Sequence, residues 1–335
     1  MKDIKEPVSI AYLYDNGGVL DLNDELISKL DYINYSFALI KDGKVYINSN
    51  QKNNLDKVLN YKKLGVKVVL SIGGWGAGGF SEAVSSLETR IAFINSILEL
   101  IDKYNFDGID LDWEYPTVSF SGIASSSNDE ENFVFLCKEL KEKFSNLNKE
   151  LILSIAVPCN DKYYNYEKLN EYVDYVNIMS YDMSIASKKA KHHCNLYDNE
   201  SIGSFSSADT AVRLISKYIP NSKIVIGIAF YGRYGLYDGK EFKLGDNLSE
   251  AQGPTFPYKD IKKMVENGVE VLWDDIAKAP YIISGGKFIT FDNERSIKEK
   301  SQYVINKGLG GLMFWQLGAQ ETDKLVDAIN RFIKG

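Results

Sequence analysis

Residues 106–116 read Phe-Asp-Gly-Ile-Asp-Leu-Asp-Trp-Glu-Tyr-Pro, with carboxylates at Asp107, Asp110, Asp112 and Glu114 in an otherwise apolar run. In an extended strand successive side chains point to opposite faces, so Asp110, Asp112 and Glu114 share one face and Ile109, Leu111 and Trp113 the other. Like charges at this range repel, and burying them costs several kcal/mol unless they are paired or share protons. A solvated acidic edge strand would keep Leu111 and Trp113 inside and the acids in water. The Gly108 turn and the Pro116 stop suit instead a strand whose end opens into a pocket.

Outward from this strand, short apolar, β-branched and aromatic runs alternate with longer amphipathic segments. Strands are predicted at 8–14, 32–39, 67–73, 106–113, 151–157, 175–181, 224–230 and 311–315. Helix-like spacing of apolar residues recurs at 54–64, 88–104, 129–144 and 207–218. Repeated β-α units of this number predict an α/β fold, a (β/α)8 TIM barrel with its chemistry at the carboxyl ends of the strands. A doubly wound open sheet would want a glycine-rich phosphate loop after the first strand, and Asp15-Asn16-Gly17-Gly18 is not one.

The rhythm breaks between the seventh and eighth strands, where about 80 residues intervene. Mixed helix and strand signals there, with Gly285-Gly286 between two apolar runs as a hairpin turn, predict a small α+β insertion. The expected division is a barrel from 1–232 and 293–335 with an insertion subdomain at 233–292.

Composition narrows the function. The 335 residues are 25% charged and 44% hydrophobic, as in ordinary globular proteins. The formal charge of -7, with no basic block, argues against a nucleic-acid partner. Cys137, Cys159 and Cys194 are scattered and odd in number, which gives neither a disulfide framework nor zinc spacing. His192-His193-Cys194 suggests a metal at first sight, but adjacent loop residues seldom converge on one ion and no further His or Cys completes a set. No metal and no cofactor are expected. The first residues do not form a signal peptide, and no run approaches the roughly 20 apolar residues of a membrane-spanning helix.

Three further segments end strands with chemistry-bearing residues: Ser71-Ile72-Gly73-Gly74-Trp75, Met179-Ser180-Tyr181-Asp182 and Phe230-Tyr231-Gly232-Arg233. The last strand, Gly310-Gly311-Leu312-Met313-Phe314-Trp315, puts Met313 and Trp315 on one face. Aromatic faces suit pyranose rings, whose axial C–H surface is apolar.

Taken with the Asp-x-x-Asp-x-Asp-x-Glu pattern of residues 107–114, these segments resemble family 18 glycoside hydrolases, the chitinase family. The resemblance covers nearly the whole chain, including Ile33-Asn34-Tyr35-Ser36-Phe37-Ala38 and an insertion like that of the deep-groove chitinases. Cys194 and Asn195 stand where the family more often has small residues and proline. The resemblance implies non-proline cis peptides after Ser36 and Trp315.

It also implies the roles. Glu114 would be the general acid/base, Asp112 would hold and stabilise the substrate's acetamide, Asp110 would share a proton with Asp112, and Tyr181 would bind the acetamide oxygen. Tyr12, Phe37, Trp75, Met179, Asp182, Tyr231, Arg233, Met313 and Trp315 would bind the sugar, with Tyr12, Phe37, Trp75 and Trp315 as stacking and floor residues. The implied substrate is chitin or an N-acetylglucosamine oligosaccharide, cleaved with retention through an oxazolinium ion. Peptidoglycan, spore cortex and the core of N-glycans are the alternative substrates, and a non-catalytic chitin-binding lectin is the rival from another class. A monomer is expected, located outside the cell or at the cell or spore surface because its substrate is there.

Overall fold

The structure is a computed structural model that describes residues 6–147, 149–239 and 241–335. Eight strands form its centre: Val8–Tyr14 (β1), Tyr32–Lys41 (β2), Lys67–Gly73 (β3), Gly108–Asp112 (β4), Ile152–Val157 (β5), Tyr175–Ile178 (β6), Ile224–Ala229 (β7) and Gly311–Trp315 (β8). Each pairs in parallel with the next, and β8 pairs with β1, so the sheet closes on itself. This is the expected (β/α)8 TIM barrel. A short strand at Lys44–Tyr46 folds back on the end of β2 as a hairpin.

Helices cover the barrel because their apolar residues recur on one face. In Leu87–Tyr104, Phe93, Ile94, Ile97 and Ile101 are buried, and Ser86 with Thr89 forms a capping box at the start. Burying each such side chain contributes about 1.5–3 kcal/mol. Asp129–Ser145 opens with Asp129, Glu130 and Glu131 against the positive helix end. Among the described residues no helix is long and apolar enough to cross a membrane.

Three strands stop sooner than the sequence pattern predicts. β4 ends at Asp112 rather than 113, β6 at Ile178 rather than 181, and β7 at Ala229 rather than 230. Beyond Ile178 a side chain substitutes for the backbone ladder: Ser180 Oγ donates to Gly227 O at 2.9 Å and accepts from Gly227 N–H at 2.7 Å.

Between β7 and β8 lies a second, five-stranded antiparallel sheet, in the order Thr255–Pro257, Tyr231–Leu236, Lys287–Thr290, Ala279–Ser284, Leu272–Asp274. Gly285 and Gly286 have φ of 56° and 76°, the positive pair that a tight hairpin turn requires. Helix Tyr258–Glu266 packs on this sheet through Ile261. The strand Tyr231–Leu236 continues almost directly from β7, so position 233 lies inside a strand. The chain returns to the barrel at Asp292, which is buried and ion-paired to buried Lys300 at 2.7 Å. Asp292 also accepts from Ala229 N–H at 3.0 Å and from Ser296 Oγ at 2.7 Å, which ties the return to the end of β7.

Candidate active site

The barrel interior carries a polar layer halfway along its axis. Asp110 is fully buried there and accepts four hydrogen bonds: Tyr12 Oη at 3.0 Å, Ser71 Oγ at 2.7 Å, Ser154 Oγ at 2.6 Å and Asn177 Nδ2 at 3.2 Å. The donors come from β1, β3, β5 and β6. Beneath this layer Tyr32 and Tyr175 meet edge-on at 5.8 Å.

Two residues along β4, Asp112 points into the same interior about 6.6 Å higher. It is nearly buried, and its Oδ1 has no hydrogen-bond partner in the protein. Burial, then the charges of Glu114 and Asp110, raise its pKa well above the ordinary value. Both oxygens of Asp110 are occupied by the four donors, and among the described residues no direct hydrogen bond joins Asp110 to Asp112.

Glu114 stands at the mouth. Burial, opposed by a hydrogen bond from Tyr115 and assisted by the charge of Asp182, pushes its carboxyl up to about 7. Its position is fixed from behind: Trp113 is buried against Phe80, stacked at 5.1 Å, and its carbonyl accepts from Tyr164 Oη at 2.5 Å. Asp107, the first acid of the motif, lies at the other end of the strand, ion-paired with Lys62 at 2.9 Å.

The mouth opens into a cavity of about 1840 Å³ lined by Asp112, Glu114, Tyr181, Asp182 and residues of several strand-end loops. Phe37 and Trp315 stack at 5.5 Å and 18° on its floor, with Tyr14 against Trp315 at 5.9 Å. Trp75 stands on the rim, 64% exposed. Gly73 and Gly74 let the loop after β3 close down here: a Cβ on Gly73 would lie 2.1 Å from Asp112 O, and one on Gly74 2.6 Å from the Phe37 ring. Gly74 N–H in turn donates to Asp112 O at 2.8 Å. Cis peptides follow Ser36 and Trp315, and a third, which the sequence did not announce, follows Glu114.

On the opposite wall, Arg233 from the second sheet pairs with Asp182 and also donates to Gly253 O at 2.7 Å. Met179 and Tyr231 line the same cavity. Tyr181 projects beside Asp112; burial and then the charges of Asp112 and Glu114 keep its phenol protonated, so it remains a donor.

Two sequence-predicted sugar contacts sit differently. Met313 is fully buried one layer below Trp315, in the apolar packing with Tyr12, Val69 and Val225, and its sulfur accepts from the Tyr181 hydroxyl at 3.9 Å. It supports the floor and does not line the cavity. Tyr12 lines it only marginally, because its hydroxyl is directed down to Asp110. His192 and His193 diverge: His192 Nε2 meets Asp274 Oδ2 at 3.1 Å, while His193 turns to Asp182. The sequence reading missed Ser154 and Asn177 as partners of Asp110; their only signal was a polar residue in the middle of an apolar strand.

A closed barrel with stacked carboxylates at its mouth and an aromatic floor defines the class of barrel glycoside hydrolases. Residues 9–320 match the sequence model of glycosyl hydrolases family 18, and the chain belongs to that family. It is 32% identical to chitinase A1 of Niallia circulans over 309 residues, 83% of this chain and 43% of that protein. To the endochitinase of Manduca sexta it is 29% identical over 353 residues, 95% of this chain and 63% of that protein. The solved structure of a glycoside hydrolase family 18 N-acetylglucosaminidase from Paenibacillus barengoltzii matches with a TM-score of 0.90 at 33% identity, covering 97% of this chain and 99% of that one. The chain thus spans about half the length of the curated relatives it matches.

Proposed function

We propose that this chain is a chitinase that hydrolyses β-1,4 bonds between N-acetylglucosamine units with retention, assisted by the substrate's own acetamide. The observation that carries the reading is the pair Asp112 and Glu114 on one interior line. One is a buried acid with an oxygen unpaired in the protein; the other is an acid held up to about 7 at the mouth of the cavity.

Most retaining glycosidases use a second carboxylate as nucleophile about 5 Å from the acid, and this family is an exception to that rule. In the proposed path Glu114 protonates the leaving oxygen while the acetamide oxygen attacks the anomeric carbon, giving an oxazolinium ion. Asp112 accepts from the acetamide N–H, which satisfies its unpaired oxygen, and steadies the cation. Tyr181 donates to the acetamide oxygen. Glu114, now a carboxylate, takes a proton from water as it opens the ring, and the configuration is retained. Only a 2-acetamido sugar supplies this nucleophile.

Residues 233–292 are proposed as an α+β subdomain that contributes one wall of the groove; Arg233, Thr255, Pro257 and Lys259 line it. We place the protein outside the cell or at the cell or spore surface, as a monomer. A second reading is an N-acetylglucosaminidase acting on peptidoglycan, spore cortex or N-glycan cores; the end-to-end match to the Paenibacillus barengoltzii enzyme supports the N-acetylglucosaminidase part of it. Products released from chitin, peptidoglycan and an N-glycan, compared side by side, decide between them. Chitin, peptidoglycan, the N-glycan and a fluorogenic di-N-acetylchitobioside all left intact would leave the lectin reading.

A further inference from the structure

The long connection after β6 returns to the cavity wall through His193, whose fully buried imidazole takes no part in the steps above. The backbone N–H of Asp182 donates to His193 Nδ1 at 3.3 Å, and the His193 carbonyl accepts from Met183 N–H at 3.1 Å. One residue therefore fastens two successive peptide groups just past Tyr181. The first of them gains from fastening, because Asp182 has φ of 60°, in the left-handed region that few residues other than glycine adopt.

The remaining contacts fix the chemistry of the ring. Both the Asp182 N–H and an Asp182 carboxylate oxygen meet the ring at Nδ1, and Nε2 is buried with no hydrogen-bond partner in the protein. Burial, working against the pull of Asp182, keeps the pKa of His193 below the usual histidine value and favours the neutral ring. The Tyr231 ring packs against it at 5.4 Å, and Nδ1 lies 3.4 Å from Asp182 Oδ1. Arg233 holds the Asp182 carboxylate from the other side.

We propose that His193 is a positioning residue: its grip on the peptides of Asp182 and Met183 holds the Asp182 carboxylate at the cavity wall, where its charge bears on Glu114. The inference rests on the reading of Glu114 as the acid. Groups that act on Glu114 or feel its charge are Asp112, Tyr115, Tyr164, Tyr181 and Asp182. Of these, Asp182 is the anion on the far wall, and it is the one His193 touches. Without the grip the strained backbone relaxes, the carboxylate withdraws with Arg233, and Glu114 loses its proton at lower pH.

The test compares His193→Leu, which fills the space without an acceptor, with His193→Asn, whose amide oxygen can stand near the place of Nδ1. On an aryl di-N-acetylchitobioside, His193→Leu is expected to lower kcat roughly tenfold, the scale of one misplaced charged contact. It is also expected to move the basic limb of the kcat/KM profile down by about half a pH unit. His193→Asn should keep the wild-type limb and most of kcat. A folded His193→Leu with an unmoved limb, or two variants that behave alike, overturns the proposal. Should His193→Leu not melt cooperatively, His193→Ala, which also lacks the acceptor, takes its place and must move the limb the same way. Titration of the Glu114 carboxyl by 13C NMR in each protein reads the same shift without turnover. A chain that leaves the aryl glycoside uncut but shows this NMR shift sinks the functional reading and leaves the role of His193 standing.

Discussion

Arg233 grips Asp182 with two hydrogen bonds, Nε to Oδ1 at 2.8 Å and Nη2 to Oδ2 at 2.7 Å, across the seam between the second sheet and the barrel. Burial pushes the Asp182 carboxyl up, yet its polar contacts with His193 and Arg233 outweigh that and hold it well below the usual carboxylate range. Arg233→Met should therefore cost more than a surface pair would, about 2 kcal/mol, because it leaves a largely buried carboxylate without its partner. Chemical denaturation gives that number. We also expect at least a tenfold fall in kcat/KM, and a variant with wild-type turnover would remove the pair from the binding machinery.

Glu114→Gln removes the proton donor and preserves shape. Hydrolysis of chitin oligomers should fall by roughly 100- to 10,000-fold, the span typical of a lost general acid. Calorimetric titration with chitotetraose should show binding retained. Near-full turnover in this variant would mean the acid lies elsewhere.

The same residue sets a pH dependence with a definite sign. As a donor Glu114 must be protonated, so activity should decline as pH rises through about 7. Its folded pKa is raised from 4.5, so between these values the folded chain binds more protons than the unfolded one and stability falls as pH rises. Glu114→Gln lacks this penalty. Melts across pH 4 to 8 should show the variant gaining on the parent towards the alkaline end, by about 1 to 3 kcal/mol. Parallel curves would contradict the raised value.

Asp110→Asn is nearly isosteric and still should be costly. Four donors converge on Asp110, and an amide offers one acceptor where the carboxylate offers two, so its NH2 must face hydroxyl or amide donors inside the barrel. Loss of about 1–3 kcal/mol is expected from unsatisfied buried groups, together with lower turnover as Tyr12 shifts beneath the floor. Urea unfolding and kcat measured on one preparation check both.

N-acetylglucosamine thiazoline copies the cyclic intermediate of acetamide-assisted hydrolysis. It should compete with substrate in steady-state kinetics, and no inhibition at high concentration would count against assistance by the acetamide.

The acidic strand was legible because two patterns coincide in it: a period of two that places side chains, and a charge density that a merely structural strand would not carry. The barrel was legible for a related reason, since buried parallel strands read as apolar runs. Depth was not. Met313 and Trp315 share a face by spacing, but only the stagger of a closed sheet decides that Trp315 reaches the cavity and Met313 stops a layer below. The donors around Asp110 lie far apart in sequence, in β1, β3, β5 and β6, and only closure assembles them. Tyr231–Leu236 escaped notice because Tyr-Gly-Arg-Tyr-Gly-Leu has no alternation; its partners on both sides make it a strand.

That strand and its neighbour pair from Arg233 with Thr290 out to Leu236 with Lys287. The rung nearest the barrel carries the arginine that reaches the catalytic mouth, and two residues past Thr290 the chain is pinned by Lys300. Farther out the same insertion is moored a second time to the connection after β6, by His192 against Asp274 and by Leu196 N–H on Ala277 O, so the arginine-bearing rung is braced from two directions and cannot swing away from the mouth as a free flap would.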